Sequence, residues 1–251
     1  MQTGLFSIFK DHPELLVAFS ERSDGSMLLP ETHRGRGYPE AAELTQRNRE
    51  RAFIGIDISP ERTISAALIH GAQAHEVDEG SAGSALIDTD GLVTNACDLF
   101  LSLTVADCLP VFLYDPTVQV VGLAHAGWRG LAGGIIPATV KKMINETGAR
   151  PENILAAVGP GISACHFSVT QETVDALSVY VPEALQERDS TMFLDLKLIA
   201  QRQLERAGIL PEHTEISKEC TACLPEKYFS WRRDRPEPIE TMIAVIGRRC
   251  G

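Results

Sequence analysis

The chain has 251 residues, 44% of them hydrophobic, with 34 acidic against 23 basic side chains and a formal net charge of −11 at pH 7. That length holds a sizeable core, and that charge excludes a nucleic acid or an anionic membrane held by bulk electrostatics, so only a local basic site is left for phosphate. No apolar run reaches the roughly 18 residues that would span a bilayer, and residues 1–20 lack the basic, apolar and small-residue succession of a signal peptide. The six cysteines lie too far apart for a disulfide framework, Cys220 and Cys223 excepted, and the expected setting is a reducing cytoplasm.

Taken in order, the apolar residues 15–18 predict an edge strand within 6–19, and the glycine-punctuated residues 20–37 a loop. A charged helix is expected over 39–53, with Pro39 in its first turn. It carries Asn48 and Arg49, for which a solvated face is the plain reading. Residues 64–69 predict a buried strand ending at His70-Gly71, a position that suits displayed functional groups and structural histidines alike. Residues 81–90 form a loop leading to Asp88-Thr89-Asp90-Gly91. Its two carboxylates are spaced for acid–base work, although Asp-Gly more often marks a turn.

The centre of the chain is a predicted hairpin. Residues 109–114 and 118–124 are strands joined by Asp115-Pro116-Thr117, and if Asp115 faces Val118 then Cys108 lies opposite His125. Opposed Cβ atoms are about 5 Å apart, so a thiol and an imidazole are placed to share a metal or a proton; the alternative is a small buried hydrophobe beside a satisfied histidine. Gly127-Trp128-Arg129-Gly130 then turns into a helix over 131–145, closed by Gly148. A glycine turn opening a helix suits an anion, and Arg129 adds a planar donor fork, unless it serves a structural salt bridge.

Beyond it come a strand over 153–158 ending in Gly159-Pro160-Gly161, helices from Gln171 and over 196–207, and a last strand over 242–246. Cys165 and His166, adjacent on a strand, would point to opposite faces and share no ion. Cys220 and Cys223 have no second pair to complete a zinc ribbon, and packing is the favoured reading. No repeat or linker interrupts the chain, which predicts a single domain over 1–251.

Together His70-Gly71, the run TVADCLP at 104–110, HAGWRG at 125–130, Gly159-Pro160-Gly161 and FSWRRD at 229–234 resemble the laccase-domain family, over residues 48–247. Its members have been called polyphenol oxidases, peptidoglycan-editing factors and purine nucleoside phosphorylases. The resemblance implies an α+β fold, a mixed β-sandwich core flanked by helices and related to Cys/His toxin deamidases. It also implies metal ligation by His70, Cys108 and His125. Three nitrogen and sulfur donors with an open fourth position suit catalytic zinc, with copper as the alternative.

The implied activity is phosphorolysis of adenosine, inosine, guanosine or methylthioadenosine, with adenosine deamination as a side activity. Cys108, His125, Asp107 and Arg129 are the catalytic candidates; Arg49 and Arg129 are those for phosphate. Asp107 enters as proton carrier because Gly71-Ala72, after His70, lacks the Glu of other zinc deaminases. The chain departs from the family at Leu68, where members carry Gln, and at Cys165-His166, where they carry a second Cys or similar residue. Three rivals follow from the same residues: a metal-free Cys/His amide hydrolase acting on peptidoglycan precursors, a copper polyphenol oxidase without motifs for further copper centres, and a non-catalytic binding module stapled by its metal.

Overall fold

The computed structural model describes residues 1–29 and 39–250. Its strands are, in chain order, β1 (Gln2–Thr3), β2 (Leu15–Phe19), β3 (Thr63–Ala67), β4 (Ala74–Glu76), β5 (Ala85–Ile87), β6 (Gly91–Thr94), β7 (Phe100–Val105), β8 (Leu109–Asp115), β9 (Val120–Ala126), β10 (Leu155–Val158), β11 (Ser168–Val169), β12 (Leu185–Arg188), β13 (Thr191–Leu194), β14 (Thr214–Ile216) and β15 (Met242–Arg248). The helices are α1 (Pro39–Ile54), α2 (Trp128–Gly133), α3 (Ile135–Thr147), α4 (Gln171–Ala176), α5 (Val181–Ala184), α6 (Leu196–Arg206) and α7 (Trp231–Asp234). Two six-stranded sheets run β1-β2-β15-β7-β3-β5 and β14-β10-β8-β9-β6-β4, beside a small sheet β11-β13-β12. Both large sheets are mixed: β3 is parallel to β7 and β7 antiparallel to β15, while β10 is parallel to β14 and antiparallel to β8.

Every residue of β8 and β9 is buried, which is why these strands read as continuous apolar runs rather than as an alternation. On one face Phe112, Tyr114, Val121 and Leu123 meet Leu101, Leu103, Ala244 and Ile246 of the other large sheet. On the other face Val111, Leu113 and Ala124 lie under Ile136, Val140 and Met143 of α3 and Ile199 and Leu204 of α6. Helix α1 covers the far side of the first sheet, with Ala52 and Phe53 against Phe100, Ile243 and Val245. The result is the expected α+β sandwich with helices outside. Truncating a side chain at its centre, such as Phe112→Ala, costs about 3–5 kcal/mol.

Four expectations change. Strand β2 is not the edge, because Gln2 and Thr3 pair outside it. The loop expected over 81–90 contains β5, and of the loop expected over 20–37, residues 30–37 lie outside the described residues. The helix expected over 131–145 is two helices, because Gly134 takes the left-handed conformation (φ 78°, ψ 40°) between α2 and α3. Cys97 and Cys250, 153 residues apart, form a disulfide with a Cα–Cα distance of 5.7 Å, so the chain is not free of cystine.

The hairpin register also differs. Asp115 pairs with Val120 and Pro110 with His125. Asp115 does not close a tight turn, because its buried carboxylate is otherwise engaged. Oδ1 accepts from Thr117 N (2.8 Å) and Thr117 Oγ1 (2.6 Å), and Oδ2 accepts from Arg150 N (3.0 Å). Residues 116–119 therefore open into a wider loop that Gln119 closes at φ 55°. A shift of two residues keeps every side chain on its face. One step beyond the Leu109–Ala126 pair, Cys108 comes opposite Gly127, with His125 as its diagonal neighbour.

Candidate metal centre and its cavity

His70 lies past the end of β3 in the left-handed conformation (φ 59°). Its backbone N–H and that of Gly71 donate to the carboxylate of Asp90, at 2.8 and 2.7 Å. Cys108 sits between β7 and β8, and His125 near the end of β9. One ligand atom each of His70, Cys108 and His125 falls within 4.8 Å of the others. The two imidazoles stand nearly perpendicular, with ring centroids 4.8 Å apart. Gly127 makes room for this: a Cβ there would lie 2.8 Å from Cys108 Sγ, so any larger residue would push the thiol out of the group.

Asp90 is fully buried and is the member of the site that local sequence conceals. Pairing of β6 with β9 sets it beside His125, whose backbone N–H donates to the Asp90 carbonyl at 2.7 Å. Asp90 Oδ1 lies 3.7 Å from His125 Nδ1, beyond hydrogen-bond length, so the contact is electrostatic. Burial opposes charge on His125, but the Cys108 thiolate and the Asp90 carboxylate outweigh it and push the imidazole up to about 9. Burial likewise opposes the Cys108 thiolate, yet the imidazoles of His125 and His70 bring it down to about 6. Asp90 is also held below the usual carboxylate range, burial being outweighed by His125 and by the N–H groups of Gly71 and His70. A thiolate at neutral pH, two imidazoles and a carboxylate behind one of them form a donor set that can hold a metal ion.

The group lines a cavity of about 360 Å³ whose apolar walls include Leu68, Ile162, Phe167, Trp231 and Ile239. That volume suits a small molecule. Arg129 also lines it, exposed at the start of α2, with its guanidinium 4.1 Å from the centre of the Trp128 ring.

Residues 17–249 match the family model described as multi-copper polyphenol oxidoreductase laccase. The chain belongs to this laccase family. It is 36% identical to the purine nucleoside phosphorylase YlmD of Geobacillus stearothermophilus over 80% of this chain and 78% of that protein. With the protein of the same name from Bacillus subtilis it shares 30% identity over 96% of this chain and 91% of the relative. The crystal structure of the G. stearothermophilus protein superposes with a TM-score of 0.87 at 30% identity, covering 98% of this chain and 94% of that one.

Within this laccase-family site the expected residues are not all gathered. His70, Cys108, His125, Asp107 and Arg129 share the cavity. Arg49 does not: it is buried on α1, donates to Met27 O (3.2 Å) and Ser65 Oγ (2.6 Å), and lines another cavity with Gln46 and Ser65. The reason is topological, since α1 packs on the far side of the first sheet. Asp107 adopts φ 86° and is engaged on both oxygens, Oδ1 accepting from Thr221 Oγ1 and Oδ2 from Arg232 N, each at 2.6 Å. The anion argument at 127–130 is also narrowed. Helix α2 spans only Trp128–Gly133, too short to carry much dipole, so Arg129 is what remains of it.

The separation expected of Cys165 and His166 is overturned. Residues 163–166 form a turn, with His166 N and Phe167 N both donating to Ser163 O, and the two side chains converge with Cys220 and Cys223. Among the described residues no helix is long and apolar enough to cross a membrane.

Proposed function

We propose that this protein is a zinc-dependent purine nucleoside phosphorylase acting at His70, Cys108 and His125. The observation that carries the reading is a three-donor group on the lining of a largely apolar cavity that an exposed arginine also borders. The names of the relatives at 36% and 30% identity support it. His70, Cys108 and His125 would hold the zinc ion, which would supply Lewis-acid chemistry at the cavity wall.

The chain's own residues do the rest. Asp90 faces His125 Nδ1 across 3.7 Å, favouring a proton on that nitrogen, and braces the backbone of His70 and Gly71. The apolar walls at Leu68, Phe167 and Trp231 take the flat face of a purine and exclude water. Arg129 holds phosphate with its oxygen turned toward the anomeric carbon. A bond forms from that oxygen to C1′ as the C1′–N9 bond breaks, and the electron pair leaves with the base. The proton that the base gains matches the one the phosphate gives up, and the products are free purine and the sugar 1-phosphate, ribose 1-phosphate or, from methylthioadenosine, 5-methylthioribose 1-phosphate. With both oxygens already accepting hydrogen bonds, Asp107 acts here as a positioning residue rather than as the proton carrier. Deamination of adenosine is a side activity of the same cavity: water adds at C6, the C6–N6 bond breaks, and inosine and ammonia are the products. Adenosine, inosine, guanosine and methylthioadenosine are the substrates to test. Adenine release from adenosine that requires inorganic phosphate is the expected result; a zinc-replete preparation that turns over none of the four, with or without phosphate, overturns the reading.

A second reading has one observation behind it, the Cys108 thiol lowered to about 6 beside a raised His125. In the metal-free protein that pair is a competent nucleophile for an amide. Amide hydrolysis that survives chelation and is lost on alkylation of Cys108 would select it.

A further inference from the structure

The second cluster lies outside the site just described. Cys165 Sγ is 3.6 Å from Cys220 Sγ and 3.5 Å from Cys223 Sγ, and His166 Nδ1 is 3.2 Å from Cys165 Sγ and 3.4 Å from Cys223 Sγ. All four donor atoms fall within 4.8 Å of one another. From these positions we infer that Cys165, His166, Cys220 and Cys223 bind a structural zinc ion that fastens one wall of the cavity.

The geometry fits that ion. Zinc–sulfur bonds of about 2.3 Å and zinc–nitrogen bonds of about 2.0–2.1 Å at a tetrahedral centre place sulfurs about 3.8 Å apart and sulfur and nitrogen about 3.6 Å apart. Four such donors fill the coordination shell and leave no open position, the mark of a structural rather than a catalytic site. The four sulfur and nitrogen atoms come from two turns, each locally built. Ser163 O accepts from His166 N and Phe167 N, and Cys220 O accepts from Cys223 N. The Ser163 N–H donates to Cys220 Sγ at 3.4 Å, an N–H···S contact that supports a thiolate. Three thiolates around a divalent cation leave one negative charge. The buried ammonium of Lys197, held by the carbonyl of Glu219 at 2.7 Å, balances it. All three thiols are free, unlike Cys97 and Cys250. A disulfide between two of them would leave the third sulfur and the imidazole without a role, whereas one ion uses all four.

The site reaches the cavity by short connections. Ile162 and Phe167, flanking the first turn, line the cavity. Cys220 bridges to Gly161, and Thr221, next to it, donates to Asp107. Fixing the two turns to each other therefore fixes the cavity wall and the residue preceding Cys108. Binding releases the three thiol protons as zinc enters.

Zinc content of the full-length protein, purified with reductant and zinc, tests this. Two ions per chain are expected in the native protein, one in Cys108→Ala, one in Cys223→Ser, and none in the double variant. Cobalt loaded into Cys108→Ala should give the intense visible bands of tetrahedral thiolate coordination, and Cys223→Ser in that background should abolish them. His166→Cys, which keeps four donors, should retain the second ion with a shifted cobalt spectrum even if a serine variant fails to fold. Cys108→Ala protein or His166→Cys protein without a bound ion at this cluster, or a Cys165–Cys220 or Cys165–Cys223 disulfide as the standing form in the purified native protein, overturns the proposal. Neither result depends on whether nucleosides are turned over.

Discussion

The two Cys/His groups offer the same kinds of donor atom in different settings. The first has three donors; His125 is buried among them, a carboxylate stands behind it, and a cavity opens in front. The second has four, with Cys165, His166 and Cys223 exposed on surface turns. What separates them is donor count and what lies in front: an incomplete shell facing a cavity can take substrate, while a complete shell on a surface can only hold chain to chain. Cys108→Ala breaks the first group and should lower kcat/KM at least about 10³-fold, the several kcal/mol a Lewis acid supplies, with the fold retained by circular dichroism. Cys223→Ser, by contrast, should leave the chemistry in place and act through the cavity wall; if it were as damaging as Cys108→Ala at full zinc occupancy of the first site, the division of roles would fail.

Asp90→Asn sharpens the same contrast at smaller scale. The variant keeps the size of the side chain but removes the charge beside His125 and turns an N–H₂ toward one of the N–H groups of His70 and Gly71 that the carboxylate now accepts. Loss of such a partner weakens metal affinity about 10–100-fold. Competition against a chromophoric chelator should show the first ion released that much more readily and the second unchanged. Equal weakening of both would mean that Asp90 acts on the whole fold.

How much of this is visible in sequence follows from how far apart the parts are. Cys108 and His125 lie on one hairpin, and even a register wrong by two residues leaves them on one face, because side chains alternate with period two. The turn itself was beyond reach, since the Arg150 N–H that engages Asp115 comes from another segment. Asp90 becomes a partner of His125 only when β6 pairs with β9, and nothing in Asp-Thr-Asp-Gly distinguishes it from an ordinary turn. The second cluster needs the 163–166 turn to meet Cys220 across the Gly161 bridge, and reading Cys165-His166 as a strand hides it. Arg49 fails for a related reason. A helix pattern says which residues lie together, not which sheet face the helix will cover.

Arg129 and Arg49 give the next test, with a smaller effect. Arg129 is exposed on the cavity lining, so Arg129→Ala should raise KM for phosphate about tenfold, one charge-assisted hydrogen bond's worth, with little change in melting temperature. Arg49→Ala should do the reverse, leaving KM for phosphate alone and destabilising the fold by about 1–3 kcal/mol, because Met27 O and Ser65 Oγ lose a buried donor. If phosphate affinity followed Arg49 instead, the far cavity would have to be part of the site.

The smallest effect is in thiol reactivity, and it compares the two groups directly. Cys108 is half-buried and Cys165 exposed, so access alone predicts that iodoacetamide modifies Cys165 first in chelator-treated protein. Ionisation predicts the opposite. Only the thiolate reacts; Cys108 is brought down to about 6 despite burial by His125 and His70, while Cys165 is raised by burial and by the neighbouring Cys223 and Cys220 sulfurs. The rate at Cys108 should therefore climb as pH rises through about 6 and level off above it, and that at Cys165 should still be climbing at alkaline pH. The gain at pH 7 is modest, because a thiolate of low pKa is also a weaker nucleophile, so the midpoint of the pH profile is the quantity to read, by peptide mass spectrometry after a timed pulse. A Cys108 midpoint near 9 would mean that the two imidazoles do not stabilise the thiolate.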